Sequence, residues 1–138
     1  MDSIKKFCKF EIINDKDFLF FNMTILEGEP TSMNWLIVMD ELKQCFDLLR
    51  NSDKKFVIYI DSRKINNVPI AKIKNVTDLL KVEDKIIEKN LICSIIHTES
   101  LTFVEQFFKL VFSFYKTKKP LKFIKSKDDI MDFVNECM

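Results

Sequence analysis

The sequence of 138 residues contains a single glycine, Gly28, and this scarcity excludes several kinds of ligand site. Dinucleotide-binding fingerprints and P-loops need several glycines, because the backbone must approach phosphate closely. There is also only one histidine, His97, and no nucleophile elbow of the Gly-x-Ser-x-Gly type. We therefore expect a protein without enzymatic activity, with no catalytic residues and no cofactor.

Closely spaced cysteine pairs are also absent. The four cysteines, Cys8, Cys45, Cys93 and Cys137, lie far apart and form no Cys-x-x-Cys motif. Structural zinc sites use such short spacings, so we expect no metal site. The cysteines are instead predicted to be small buried hydrophobic residues in a reducing compartment.

An excess of charge and a long hydrophobic run are missing as well. The formal net charge is +1, from 22 basic and 21 acidic residues, which argues against general nucleic-acid binding. No apolar run approaches the roughly 20 residues of a membrane span, and residues 1–6 lack the apolar core of a signal peptide. We expect a cytoplasmic protein that forms one domain over residues 1–138.

The most informative stretch is a run of five apolar residues, 56–60, which is followed by Asp61 and Ser62. A continuous apolar run of this length predicts a strand that is buried on both faces of a sheet. Asp61 and Ser62 would lie at the carboxyl end of that strand. Open α/β sheets usually bind ligands or partners at this edge.

Hydrophobic periodicity and turn residues predict nine elements along the chain. The strands are expected at about 6–13, 18–27, 55–61, 91–96 and 121–124, and the helices at about 32–49, 69–89, 101–116 and 128–136, with a break in the helix over 69–89 left open. The order ββαβαβαβα indicates an α/β fold, with a mixed, mostly parallel five-stranded sheet and four helices. The parallel pairs follow from the helices between strands, and the opening hairpin adds one antiparallel strand.

Three stretches give this order a family resemblance. Residues 56–61, 95–98 and 119–130 resemble the central strand, the next strand with its loop, and the closing strand with its helix start in STAS domains, the anti-sigma-factor-antagonist-like family. The resemblance implies a SpoIIAA-like fold and a non-enzymatic interaction or regulatory domain. It also implies that a protein partner, or a second copy of the chain, binds through the loop after the central strand.

One departure from the STAS pattern concerns phosphorylation. Many STAS domains carry Asp-Ser-x-Gly at the start of the second helix, whereas residues 67–70 here are Asn-Val-Pro-Ile. The phosphorylation switch is therefore not expected. A second similarity, to CRAL-TRIO lipid-binding domains, implies lipid or membrane-surface binding as an alternative function.

Asp61, Ser62, Asn66 and Asn67 are the candidate binding residues, because they surround the predicted carboxyl end of the central strand. The alternative is that Asp61 and Ser62 satisfy backbone groups of their own loop. His97 would lie at the same edge and could pair with Asp61, although a structural histidine is the simpler expectation.

The third predicted helix carries more apolar surface than packing on a sheet requires. Its surplus residues, Phe108, Phe112 and Tyr115, are candidates for an exposed interface, and the alternative is that they pack on the second helix.

A lysine cluster follows that helix. Lys116, Lys118 and Lys119 could contact an anionic ligand or lipid headgroups, and the alternative is a solvated edge.

Overall fold

A computed structural model describes residues 4–99, 101–116 and 119–138, without the side chains of residues 101–105, 107 and 112. The strands are β1 (Cys8–Asn14), β2 (Leu19–Ile25), β3 (Phe56–Asp61), β4 (Leu91–His97) and β5 (Leu121–Ile124). The helices are α1 (Ser32–Ser52), α2 (Ile70–Val82), α3 (Asp84–Asn90), α4 (Leu101–Phe114) and α5 (Ile130–Cys137), and a 3-10 turn (Lys127–Asp129) precedes α5.

The five strands form one sheet in the order β1-β2-β3-β4-β5. β1 and β2 are antiparallel, and the other neighbouring pairs are parallel, as predicted. The α/β class is therefore confirmed. The parallel register places Asp61 opposite His97, so the carboxyl ends of β3 and β4 lie side by side.

The helix count differs from the prediction in one place. The predicted helix over residues 69–89 is two helices, α2 and α3, which meet at Glu83. The carboxylate of Glu83 is held by Arg50 near the end of α1, and Glu83 is only 8% exposed. A break in this helix was left open by the prediction, but its position was not predicted, because the contact with Arg50 comes from a distant part of the chain.

The start of α1 is fixed by side-chain capping. Thr31 Oγ1 accepts a hydrogen bond from the backbone N–H of Asn34 at 3.1 Å, and Asn34 Oδ1 accepts one from the Thr31 N–H at 2.7 Å. Asn34 Nδ2 also donates to the carbonyl of Lys5 at 3.2 Å. This reciprocal cap satisfies backbone donors that a helix start leaves without partners.

β3 is buried on both faces of the sheet, as its apolar run predicted. Phe56 and Ile58 join the core beneath α1, α2 and α3, whereas Val57 and Tyr59 join the core beneath α5. We call the first side of the sheet, which α4 also covers, the cavity face, and the second side the α5 face. Successive side chains of β3 point to opposite faces of the sheet and therefore pack into two separate cores.

The cysteines pack as predicted. Cys8, Cys45 and Cys93 are buried free thiols, and Cys137 is half-buried. Burial raises the pKa of Cys8 to about 12, that of Cys45 to about 11 and that of Cys93 to about 12. Because the thiolate is the reactive form, these three side chains act as small hydrophobic residues at neutral pH.

Candidate functional site

Asp61 ends β3 and is tied to Arg63 two residues later. Arg63 Nε donates to Asp61 Oδ1 at 2.9 Å, Arg63 Nη2 donates to Oδ2 at 2.7 Å, and the Arg63 backbone N–H donates to Oδ1 at 3.2 Å. These hydrogen bonds hold the pKa of Asp61 below its ordinary value. The carboxylate is therefore a charged structural partner of Arg63.

Ser62 is only 1% exposed. Its Oγ and its backbone N–H both donate to the carbonyl of His97, each at 2.9 Å. The prediction that Ser62 faces a partner is therefore wrong. The hydroxyl instead joins the ends of β3 and β4, which is the backbone-satisfying alternative.

Both ring nitrogens of His97 are engaged inside the protein. His97 Nε2 lies 3.2 Å from the carbonyl of Lys125, which can only accept, so the proton belongs on Nε2. His97 Nδ1 then accepts from the hydroxyl of Tyr59 at 2.6 Å. The Asp61–His97 pair is not formed through either ring nitrogen, and His97 has the structural role that was the simpler expectation.

Asn66 and Asn67 are exposed side chains on a fixed backbone. Their N–H groups donate to the carbonyl of Gly28 at 2.8 and 3.1 Å, which joins the β2–α1 loop to the β3–α2 loop. A Cβ added at Gly28 would lie 3.1 Å from the Cβ of Asn66. Glycine therefore permits this close approach, and the two amide side chains remain available at the surface.

Two further exposed residues lie in the same stretch of chain, between the end of β3 and the first turn of α2, and they were not among the predicted site residues. Arg63 has a side chain that is 41% exposed, and Ile70 is 57% exposed in the first turn of α2. The spacing of Arg63 from Asp61 was a usable signal for their pairing. We call Arg63, Asn66, Asn67 and Ile70 the edge surface.

The interface predicted on α4 is largely internal. Phe108 is buried and its ring meets that of Phe123 edge to face at 6.1 Å. Tyr115 is also buried, and its hydroxyl donates to Asp84 Oδ1 at 2.6 Å. The prediction that these two residues are exposed is wrong, because β5 and α3 take up the surplus apolar arc. The side chain of Phe112 lies outside the described residues.

The lysines after α4 remain a surface feature in part. Lys116 is exposed and Lys119 is half-buried, whereas Lys118 lies outside the described residues. Among the residues that the structure describes, no helix is long and apolar enough to cross a membrane. In the same part of the chain, no cluster of three or more histidine, cysteine or acidic side chains could hold a metal ion.

A cavity of about 170 Å³ lies between the cavity face and helices α1, α2 and α4. Its wall includes Ile58 and Ile60 of β3, Trp35 and Val38 of α1, and Ile73 of α2. Trp35 is 7% exposed, and within the described residues its indole Nε1 has no hydrogen-bond partner. Trp35 lies on the buried side of α1, and no sequence pattern indicates the empty space beside it.

No protein-family model matches the sequence, and no curated protein matches it. The structure is similar to a crystal structure of an uncharacterized protein from the DUF3478 family, with a SpoIIAA-like fold, from Shewanella loihica PV-4. The TM-score is 0.67 at 16% sequence identity, over 97% of this chain and 98% of the other. The chain therefore has a SpoIIAA-like fold, which confirms the STAS-like fold implied by the sequence.

Proposed function

We propose that this protein is a non-enzymatic, STAS-like interaction domain with a regulatory role, and that its protein partner binds the edge surface. The observation that carries this proposal is a contrast at the carboxyl edge of the sheet between residues that are hydrogen-bonded within the protein and residues that are exposed. Asp61, Ser62 and His97 are engaged with other parts of the protein. The amides of Asn66 and Asn67 are exposed beside them.

This contrast favours recognition over chemistry. A general base or nucleophile must reach its substrate, and a hydrogen-bonded carboxylate or a buried hydroxyl is poorly placed to do so. Amide side chains, in contrast, donate and accept hydrogen bonds without chemical change. The backbone N–H groups of Asn66 and Asn67 donate to the Gly28 carbonyl, and these hydrogen bonds join the β3–α2 loop to the β2–α1 loop. The surface is therefore formed before a partner binds.

The composition of the edge surface also suits a protein partner. Ile70 offers an exposed apolar side chain, and Arg63, Asn66 and Asn67 are exposed polar groups in the loop that leads to it. Protein interfaces commonly combine an apolar centre with a polar rim. Arg63 is already held by Asp61, so less side-chain freedom is lost when a partner binds.

The test compares affinity capture by the full chain with capture by two charged variants of α2. Ile70→Glu changes the edge surface, and Val82→Glu makes the same kind of change at an exposed position at the other end of the helix. We expect the native chain and Val82→Glu to retain the same protein partner and Ile70→Glu to lose it. Retention by all three proteins would contradict the proposal.

A second copy of the chain is one form that the partner could take. Sedimentation of the purified chain tests it directly, because a dimer that dissociates in Ile70→Glu but not in Val82→Glu would use the edge surface. A dimer that is indifferent to Ile70→Glu would show that self-association uses another surface.

The alternative function, lipid or membrane-surface binding of the CRAL-TRIO type, has lost Phe108 and Tyr115 from its predicted contact surface. The described residues that remain in this predicted contact surface are basic, and they include the exposed Lys116. Flotation with anionic liposomes at low and high salt separates the two functions, because binding through lysines weakens as salt screens the charges. Salt-sensitive flotation that Ile70→Glu leaves unchanged would favour the alternative.

A further inference from the structure

The cavity beneath the cavity face is large enough to hold a small molecule. Its volume of about 170 Å³ compares with roughly 150 Å³ for an engineered apolar cavity that takes up benzene. Its wall combines strand residues such as Ile58 and Ile96 with helix residues such as Val38, Ile73 and Val111. Most of this wall is hydrocarbon, so the cavity suits an apolar occupant.

Trp35 adds one hydrogen-bond donor to the wall of this apolar cavity. The indole forms part of the wall, and its N–H is buried without an acceptor among the described residues. An indole nitrogen only donates, and a buried donor without an acceptor costs stability. An occupant that carries an acceptor would remove this cost.

Water is a poor candidate for that acceptor. A buried water needs two to four polar partners. Besides the Trp35 N–H, the described wall offers the Cys8 thiol and the hydroxyls of Ser62, Ser94 and Tyr115, and two of these hydroxyls donate elsewhere. Ser62 donates to the His97 carbonyl, and Tyr115 donates to Asp84. The remaining surroundings are mainly hydrocarbon, which favours an organic occupant over water.

We propose that this cavity is a binding site for one small, neutral, mainly hydrocarbon molecule, whose single hydrogen-bond acceptor is bound by the indole N–H of Trp35. A neutral ligand is required because no charged side chain forms part of the cavity wall among the side chains that the structure describes. An ionised group buried there would have no counter-charge. None of the four residues of the edge surface lines the cavity, although Ser62, Ile65 and Val68 of the same loop do. The proposal does not depend on the proposed function.

The test uses two probes of matched size, cyclohexanone and methylcyclohexane, of which only the ketone has an acceptor. Dissociation constants are measured on the full chain from the methyl NMR signals of isoleucine and valine residues in the cavity wall. We expect both probes to bind the native chain. Trp35→Phe should weaken cyclohexanone about fivefold more than methylcyclohexane, because the variant keeps an aromatic ring and removes the donor.

Cavity filling provides an independent arm with a matched control. Val38→Phe places extra volume in the cavity, whereas Val82→Phe makes the same substitution at a position that is 77% exposed. We expect Val38→Phe to abolish binding of both probes and Val82→Phe to leave it unchanged. Should Val38→Phe fail to fold, Val68→Leu tests the same wall with a smaller change.

Two results would overturn the proposal. If neither probe perturbs the methyl signals of the cavity wall in the folded native chain, the cavity is not a binding site. If Trp35→Phe weakens both probes equally, the indole N–H does not select for an acceptor.

Discussion

The two faces of the sheet differ in how completely they are filled. On the cavity face, four helices of 21, 13, 7 and 14 residues share one side of the sheet, and a cavity of about 170 Å³ lies between them and the strands. On the α5 face, one helix of eight residues packs on β4 through Val134 and its neighbours. The comparison teaches that one short helix can settle closely on strands, whereas several helices must also fit one another.

The two faces also differ in whether their buried polar groups have hydrogen-bond partners. Near the α5 face, the Tyr59 hydroxyl donates to His97 Nδ1, and His97 Nε2 donates to the carbonyl of Lys125. On the cavity face, the buried indole N–H of Trp35 has no described partner. Buried polar groups are normally paired, so the orphan donor and the empty volume together mark the cavity as the site that needs an explanation.

The largest effect is expected where an aromatic side chain of the cavity face is removed. Phe46 is fully buried and meets Phe21 edge to face at 5.9 Å. Phe46→Ala should lower the free energy of unfolding by about 3–5 kcal/mol, because it enlarges a core that is already incompletely filled. Urea denaturation measures this loss. Phe133→Ala is the counterpart on the α5 face, and its half-buried ring should cost less; a larger cost would reverse the comparison.

Adding volume should distinguish the faces in the opposite direction. Val57 is fully buried on the α5 face, so Val57→Phe should cost about 1–3 kcal/mol through overpacking. Val38→Phe adds the same atoms beside the cavity and should cost less, or should stabilise the fold. Thermal and urea unfolding of both variants measure the difference, and equal costs would show that the cavity does not accommodate added atoms.

A smaller effect is expected from the Tyr59–His97 hydrogen bond. Tyr59→Phe should cost about 1–2 kcal/mol, because it leaves His97 Nδ1 buried without a donor. Burial raises the pKa of Tyr59 from 10.0 to about 12. The unfolded chain therefore loses this proton first, and the contribution of Tyr59 to stability falls as pH rises from 10 to 12.

Urea unfolding of native protein and Tyr59→Phe across that pH range provides the measurement. The difference in stability between the two proteins should shrink as the pH rises. A difference that stays constant would mean that folding does not shift the ionisation of Tyr59.

The smallest effect is expected at the start of α1, the helix that carries Trp35. Thr31→Ala removes the hydroxyl that accepts from the Asn34 N–H and should cost about 1 kcal/mol. Chemical denaturation measures the loss, and Ser32→Ala, one residue later in the exposed first turn, serves as the control. A loss of equal size in the control would show that Thr31 has no special capping role.

The sequence predicted the parts of the fold that depend on local pattern. The apolar run of β3 and the hairpin of β1 and β2 both follow from residue spacing and from the preferences of particular side chains. The break at Glu83 does not, because it coincides with an ion pair to Arg50 on a distant helix. Local periodicity contains no record of such contacts.

The candidate site was predictable in its position but not in its details. The sequence placed Asp61, Asn66 and Asn67 at the carboxyl edge, yet it could not show that Ser62 turns inward to the His97 carbonyl. The exposure of Phe108 was misjudged because burial depends on where β5 lies. The cavity could not be predicted at all, since empty volume is a property of how the elements fit together.

The most direct test is the nitrogen–proton NMR spectrum of the indole group. The sequence contains one tryptophan, so Trp35 gives a single indole signal that needs no assignment by mutation. We predict that cyclohexanone moves this proton signal downfield, because a hydrogen bond forms. Methylcyclohexane should cause a smaller shift that is not the downfield shift of a hydrogen bond. An indole signal that both probes leave unmoved, in a protein that remains folded, would contradict the account of the cavity as a ligand site.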